Sequence, residues 1–200
     1  MPPRPLPLLI CAAVVHALVA SATQAAERPD GRYIVYVSDE SKEQEFWLFD
    51  RQDGSRRKLT THASFKDGAV WAPDSKRLAV TAANRLFTID VETGAVAEAA
   101  HNQAGGYQVS QFSPDGKWLV YSRSDDQQNR DIYAFEIATR REHNLTQSPF
   151  TESRGVLTPD GRTLVFASDR ADGVNHLVRF DRNGERHLRG MPDLQRIPGY

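Results

Sequence analysis

Histidine and paired carboxylate side chains are the residues of this sequence that could support metal chemistry. His62 and His101 fall on two polar segments, and Asp125 and Asp126 are adjacent. A zinc site needs three or four correctly spaced ligands, and a calcium loop needs an ordered series of oxygen ligands. No acid or third histidine stands at a fixed offset from the two histidines, and the two aspartates have no such series around them. We therefore predict no metal site and no cofactor.

Catalytic signatures are also missing from the sequence. It has no Gly-x-Ser-x-Gly elbow for a hydrolytic serine, no His-Glu-x-x-His for zinc, and no glycine-rich phosphate loop between a strand and a helix. We predict no catalytic residues and a function in binding.

Basic and aromatic side chains recur on three polar loops. The loops are His62–Gly68, His101–Gln108 and Thr151–Arg154. The residues that we select as binding candidates are His62, Lys66, His101, Tyr107 and Arg154. Loops that converge on a rigid scaffold can form a binding mouth, so we expect a protein or peptide partner there. The alternative is that these loops are ordinary solvated connections.

Four copies of one tight turn set the positions of these loops. The turns begin at Pro29, Pro73, Pro114 and Pro159, which are 44, 41 and 45 residues apart. In three copies the turn is Pro-Asp-Gly, which fixes φ at proline, caps the turn with aspartate and allows positive φ at glycine. An apolar strand and then a strand ending in an acid follow each turn. This period is typical of a propeller blade.

We therefore predict an all-β protein, a β-propeller-type array of about four four-stranded blades, at about residues 29–66, 67–106, 107–151 and 152–200. The first turn directly follows the predicted leader, so we expect blade one to lack its innermost strand. Glu185–Leu188 is the expected outer strand of blade four, and Tyr200 precedes the point where another innermost strand would start. We therefore expect an incomplete propeller with open blade edges. Further blades, or self-association through these edges, would cover the open edges. Four-bladed closure through the tail is the alternative.

The repeat resembles that of the TolB-type β-propellers. The shared pattern is an apolar or aromatic residue, a small polar residue or alanine, Pro-Asp-Gly, a basic residue and an apolar strand, then Ser-Asp-Arg as at Ser168–Arg170. The resemblance spans about residues 29–190, without the separate N-terminal domain of TolB. The resemblance implies the fold, and such repeats occur in periplasmic translocation-associated proteins. Together with the missing catalytic signatures it leads us to expect an exported, non-enzymatic interaction module. Similar repeats also occur in prolyl-oligopeptidase-like peptidases and oligogalacturonate lyases, so the rival interpretation is the propeller portion of an exported enzyme whose catalytic residues lie outside this chain.

Charge and composition exclude one class of partner. The 200 residues include 25 basic and 26 acidic residues, and 40% are hydrophobic. This balance is typical of a globular protein. It supplies no basic face strong enough to neutralise several phosphates, so we expect no nucleic-acid partner.

Residues 1–26 have the features of a secretory signal peptide. Arg4 precedes an apolar run over Leu6–Ala20, and small residues follow at Ala20-Ser21-Ala22 and Ala25-Ala26. A membrane anchor needs about 18 or more apolar residues, which is longer than this run. We expect cleavage, a periplasmic or secreted mature protein and no membrane insertion.

Overall fold

The structure is a computed structural model, and it describes residues 25–61, 66–82, 84–101, 106–127, 129–170, 173–182 and 195–196. Within these residues every regular element is a strand, and no helix is long and apolar enough to cross a membrane. The strands in chain order are β1 (Ala25–Glu27), β2 (Tyr33–Ser38), β3 (Glu45–Asp50), β4 (Arg56–Lys58), β5 (Lys66–Trp71), β6 (Arg77–Ala82), β7 (Arg85–Asp90), β8 (Val96–His101), β9 (Tyr107–Phe112), β10 (Trp118–Ser124), β11 (Arg130–Glu136), β12 (Arg141–Asn144), β13 (Glu152–Leu157), β14 (Leu164–Ser168), β15 (His176–Arg182) and β16 (Gln195–Arg196).

The strands form four antiparallel sheets, each made of four consecutive strands. Blade one is β1–β4, blade two β5–β8, blade three β9–β12 and blade four β13–β16, with the first strand of each innermost. The predicted all-β array of four four-stranded blades is confirmed.

The repeated turns have the backbone geometry that their sequences predict. The residue after the aspartate has positive φ in all four copies: Gly31 at 73°, Ser75 at 59°, Gly116 at 68° and Gly161 at 70°. In each copy the aspartate Oδ1 accepts a hydrogen bond from the backbone N–H two residues later. These local bonds explain why the turn repeats in sequence.

Antiparallel strands alternate in direction, so each blade has two distinct ends. The turn end carries the Pro-Asp turns and the turns after the third strands, at 28–32, 51–55, 72–76, 91–95, 113–117, 137–140 and 158–163. The loop end carries the connections between second and third strands and between blades. Its described segments include 39–44, 59–61, 125–127 and 145–151. The binding candidates selected from the sequence lie near this loop end.

Three apolar layers hold the blades face to face. Val35, Phe46 and Leu78 belong to the layer between blades one and two. The layer between blades two and three includes Leu119 and Tyr121, and the layer between blades three and four includes Trp118, Val120, Ile132 and Phe166. Residues 118–121 are therefore apolar without alternation, because β10 is buried on both faces.

The prediction that blade one lacks its innermost strand was wrong. Ala25–Glu27 forms β1 and pairs with β2, opposite Ile34, Val35 and Tyr36. The Trp71 indole of blade two donates a hydrogen bond to the Ala26 carbonyl at 3.0 Å. Three residues are enough to form this strand, and two of them, Ala25 and Ala26, belong to the leader predicted from the sequence.

The ring is not closed within the described residues. Innermost strands touch in the pairs β1 with β5, β5 with β9 and β9 with β13. The fourth strand of blade four is Gln195–Arg196, where the sequence predicted Glu185–Leu188, a segment outside the described residues. On the face of blade four turned away from blade three, Val156 and Leu177 are 41% and 78% exposed. Within the described residues the array is consistent with the expected incomplete propeller.

Candidate functional site

The structure places the five sequence candidates unequally. Lys66 and Tyr107 begin β5 and β9, two innermost strands in contact, and Arg154 lies on the adjacent β13. His101 ends β8, the outermost strand of blade two. It is separated from β5 by three strand spacings, or about 14 Å. His62 and the Lys66 side chain lie outside the described residues.

Tyr107 is part of the layer between blades rather than an accessible contact residue. Its side chain is 3% exposed, and its ring centroid lies 5.4 Å from that of Tyr121 in a tilted arrangement. Burial raises the pKa of Tyr107 to about 12, and the negative charge of Glu142 acts in the same direction. Tyr107 therefore stays neutral, and its ring packs against Tyr121.

Arg154 is exposed, as is His101. Arg154 lies in a bulge between Ser153 and Val156, with a left-handed φ of 56°. Within the described part of the chain no hydrogen bond or ion pair engages its guanidinium. The next residue, Gly155, is held so close to blade three that a Cβ would lie 2.7 Å from Ile132 Cγ2. The residue that follows Arg154 therefore has no room for a side chain.

Blade three carries a chain of polar contacts on its face toward blade two. Tyr121 donates to Glu142 Oε1 at 2.5 Å, and Arg123 Nη1 donates to Glu142 Oε2 at 2.8 Å. Arg123 Nη2 donates to the Tyr133 hydroxyl at 3.0 Å, and the guanidinium lies 4.2 Å from the centroid of that ring. Burial raises the pKa of Tyr121, and the charge of Glu142 adds to the effect. Burial opposes the charge of Arg123, but the Tyr133 and Glu142 contacts outweigh it and raise the pKa.

The contacts continue along the loop end through Asp131. Asn144 Nδ2 donates to the Tyr133 hydroxyl at 3.2 Å and to Asp131 Oδ2 at 2.7 Å. Asp131 Oδ1 accepts from Thr146 Oγ1 at 2.8 Å and from the Ser148 N–H at 3.1 Å. Asp131 thereby connects β11 with the segment that leads into blade four.

Glu152 ends the chain of contacts inside the interface of blades three and four. Its side chain is fully buried, and its Oε1 accepts from Arg170 Nη2 at 2.8 Å and from Ser168 Oγ at 3.2 Å. Among the described residues its Oε2 has no hydrogen-bond partner. Burial raises the pKa of Glu152; the Arg170 contact opposes this shift, and the nearby Asp131 carboxylate adds to it.

We call these residues the rim network: Tyr121, Arg123, Asp131, Tyr133, Glu142, Asn144, Glu152 and Arg170. None of them was selected as a binding residue from the sequence. A signal was present, because residues two apart on one strand share a face, and that spacing occurs at Tyr121-x-Arg123, Asp131-x-Tyr133 and Glu142-x-Asn144. The side chains of Arg123 and Glu142 are 25% and 27% exposed, so the network holds charged groups in fixed positions at the surface. Among the described residues no three His, Cys, Asp or Glu side chains are placed to hold a metal ion. The arrangement suits recognition of a polar partner.

Two curated proteins are similar to this chain in sequence. Tricorn protease homolog 1 of Streptomyces coelicolor is 29% identical over 101 residues, which is 50% of this chain and 10% of that protein. An uncharacterized protein of Agrobacterium fabrum is 24% identical over 154 residues, or 74% of this chain and 51% of that protein. No family model matches the chain. The chain thus spans about half or less of these relatives.

The solved structures that resemble this chain include TolB proteins. TolB from Acinetobacter baumannii has a TM-score of 0.69 and 23% identity, and the match covers 79% of this chain and 40% of that one. A putative TolB from Agrobacterium tumefaciens has a TM-score of 0.64 and 21% identity, over 82% of this chain and 64% of that one. Oligogalacturonate lyase from Vibrio parahaemolyticus has a TM-score of 0.66 and 14% identity, over 78% of this chain and 48% of that one. The fold is therefore a β-propeller fold of the kind found in TolB, and it is shared with enzymes.

Proposed function

We propose that this chain is an exported, non-enzymatic propeller module that binds a protein or peptide at its loop end. The binding surface includes Arg154 and the exposed parts of Arg123 and Glu142, with Lys66 at the start of the neighbouring strand. An export leader over residues 1–26 and a periplasmic or secreted location belong to the same proposal. They rest on the sequence pattern.

The fixed position of Arg123 is the observation that carries this proposal. Its guanidinium is held against Glu142 and Tyr133 while part of its side chain is exposed. Charged groups fixed before binding lose little conformational freedom when a partner arrives, so they favour affinity and specificity. Arg154, with no partner among the described residues, adds a free positive charge at the same end. A partner segment with acidic side chains matches Arg154.

Site-specific photo-crosslinking in the periplasm of a producing bacterium tests this proposal. A photo-reactive residue at exposed Asp126, on the loop end, should give a discrete adduct with a partner protein. The same residue at exposed Ala138, on the turn end, should give none. Arg154→Glu should abolish the Asp126 adduct, whereas Arg162→Glu, an exposed arginine at the turn end, should leave it unchanged. Equal adducts from both ends would contradict a loop-end surface.

The enzyme alternative is supported by the structural likeness to an oligogalacturonate lyase, at 14% identity. Purified protein should be assayed for turnover of peptide and pectic substrates. Our proposal expects no turnover. Turnover that is lost in His62→Ala or His101→Ala would replace the binding function with an enzymatic one.

A further inference from the structure

The short strand β1 is held both by its own blade and by the next one. All three of its residues pair with β2. The Trp71 indole N–H of blade two donates to the Ala26 carbonyl at 3.0 Å, and the Ala26 side chain packs on the apolar layer between blades one and two. Arg51 Nη1 donates to Glu27 Oε1 at 2.6 Å. The native sheet therefore needs the backbone of residues 25–27.

The sequence offers two groups of small residues where a leader could be removed. Signal peptidases recognise small residues in an A-x-A-like pattern directly before the cut. Ala20-Ser21-Ala22 has that pattern before the Ala22–Thr23 bond. A cut after Ala26 would instead have the larger Gln24 in the first position of the pattern.

The two cuts have opposite consequences for blade one. Removal of residues 1–26 would delete two of the three residues of β1 and leave the N–H of Trp71, a residue only 8% exposed, without its acceptor. It would also place a charged amine on Glu27 beside β2. A cut after Ala22 leaves Thr23 and Gln24 ahead of the strand and keeps all of these contacts.

We propose that export processing cleaves the Ala22–Thr23 bond, so that β1 stays in the mature protein as the innermost strand of blade one. Water adds across this amide, leaving a carboxylate on Ala22 and an amine on Thr23. The inference rests on the proposed export, and it revises the leader boundary from Ala26 to Ala22.

N-terminal sequencing and intact mass of the full chain recovered from the periplasm test the inference. The expected mature protein begins Thr23-Gln24-Ala25. A protein beginning at Ala26 or Glu27 would overturn the cleavage site while leaving export intact. Retention of Met1 by a protein that is absent from the periplasmic fraction would overturn the site and export together, so the two failures are distinguishable.

A matched pair of variants identifies the residue that the peptidase recognises. Ala22→Leu places a bulky side chain directly before the proposed cut, and loss of processing is expected in pulse-chase labelling. Ala25→Leu lies beyond the cut and on an exposed position of β1, so processing at the parental rate is expected. Blocked processing of Ala25→Leu with normal processing of Ala22→Leu would overturn the inference.

Discussion

At the residue scale, the left-handed positions of the Pro-Asp turns are the most demanding sites for side-chain choice. Three are glycine, and Ser75 occupies the fourth with a φ of 59°. An L-residue in this region costs about 1–2 kcal/mol, and a β-branched residue costs most. The turn of blade two therefore carries a strain that the other three copies avoid.

Gly116→Val should lower the free energy of unfolding by about 1–2 kcal/mol or more, because valine must adopt the φ of 68°. A Cβ at this position would meet only ordinary contacts, 3.6 Å from Arg77 Nη2 and 3.7 Å from Pro73 Cδ, so the loss reports the backbone. Urea or thermal unfolding measures it. Ser75→Gly is the control, and its effect on the free energy of unfolding should be small by comparison. A neutral Gly116→Val would show that the turn does not require positive φ in solution.

Glu152 is a residue whose ionisation should couple stability to pH through a raised pKa. Burial raises its pKa in the folded state, so the folded protein binds the Glu152 proton more tightly than the unfolded chain does. Stability from this group is present below the ordinary glutamate pKa and is lost as pH rises through the raised one. At neutral pH the ionised Glu152 side chain therefore lowers the stability of the folded protein.

Glu152→Gln should remove this pH dependence. The stability of the variant relative to the parent should increase as pH rises from about 4 toward neutrality, since glutamine cannot ionise. Denaturant unfolding at a series of pH values measures the difference. Exposed Glu92→Gln controls for loss of one carboxylate. A constant difference between Glu152→Gln and the parent across this range would contradict a raised pKa.

At the element scale, β1 is the shortest innermost strand and depends on a neighbouring blade. Its backbone receives a hydrogen bond from Trp71, which lies at the end of β5. Trp47 on β3 has a buried indole N–H that finds no acceptor in the described part of the chain. The two tryptophans can therefore be compared directly.

Trp71→Phe should cost more stability than Trp47→Phe, by about 1 kcal/mol, because only the first loses a hydrogen bond as well as ring volume. Chemical denaturation of the two purified variants gives this difference. Amide exchange of Val35, opposite Ala26 of β1, should also become faster in Trp71→Phe alone. Equal losses of stability in the two variants would mean that Trp71 does not hold β1.

At the scale of the whole molecule, the array has an apolar face that no blade covers within the described residues. Leu177 and Val156 are 78% and 41% exposed on blade four. Removal of apolar surface from water is worth roughly 25 cal/mol per Å², which favours association.

We expect the purified protein to self-associate with increasing concentration in sedimentation velocity, with blade four of one copy in the contact. Leu177→Asp should shift the distribution toward monomer by charging that face. Val96→Asp, a change at a 50% exposed residue on the outer strand of blade two, should not. A monomer at all concentrations, or equal effects of the two variants, would contradict this contact.

The sequence by itself determined the turns, the blade number and the strand order. These features arise from contacts between near neighbours: aspartate caps its own turn, and positive φ at Gly31, Gly116 and Gly161 is a property of single residues. The placement of Lys66 and Tyr107 at the same end of neighbouring blades also followed from this periodicity. Their burial did not, because it depends on the neighbouring blade.

Only the tertiary structure decided the presence of β1 and the composition of the rim network. Ala25–Glu27 has no strand periodicity of its own and becomes a strand because β2 and Trp71 supply its partners. The contact between Glu152 and Arg170 and the bonds to Asp131 depend on strand register and on how blade four packs against blade three. The bulge at Arg154 shifts that register, and a bulge has no fixed sequence signal in these repeats. Contacts that join distant segments arise from packing, which the local pattern of residues does not specify.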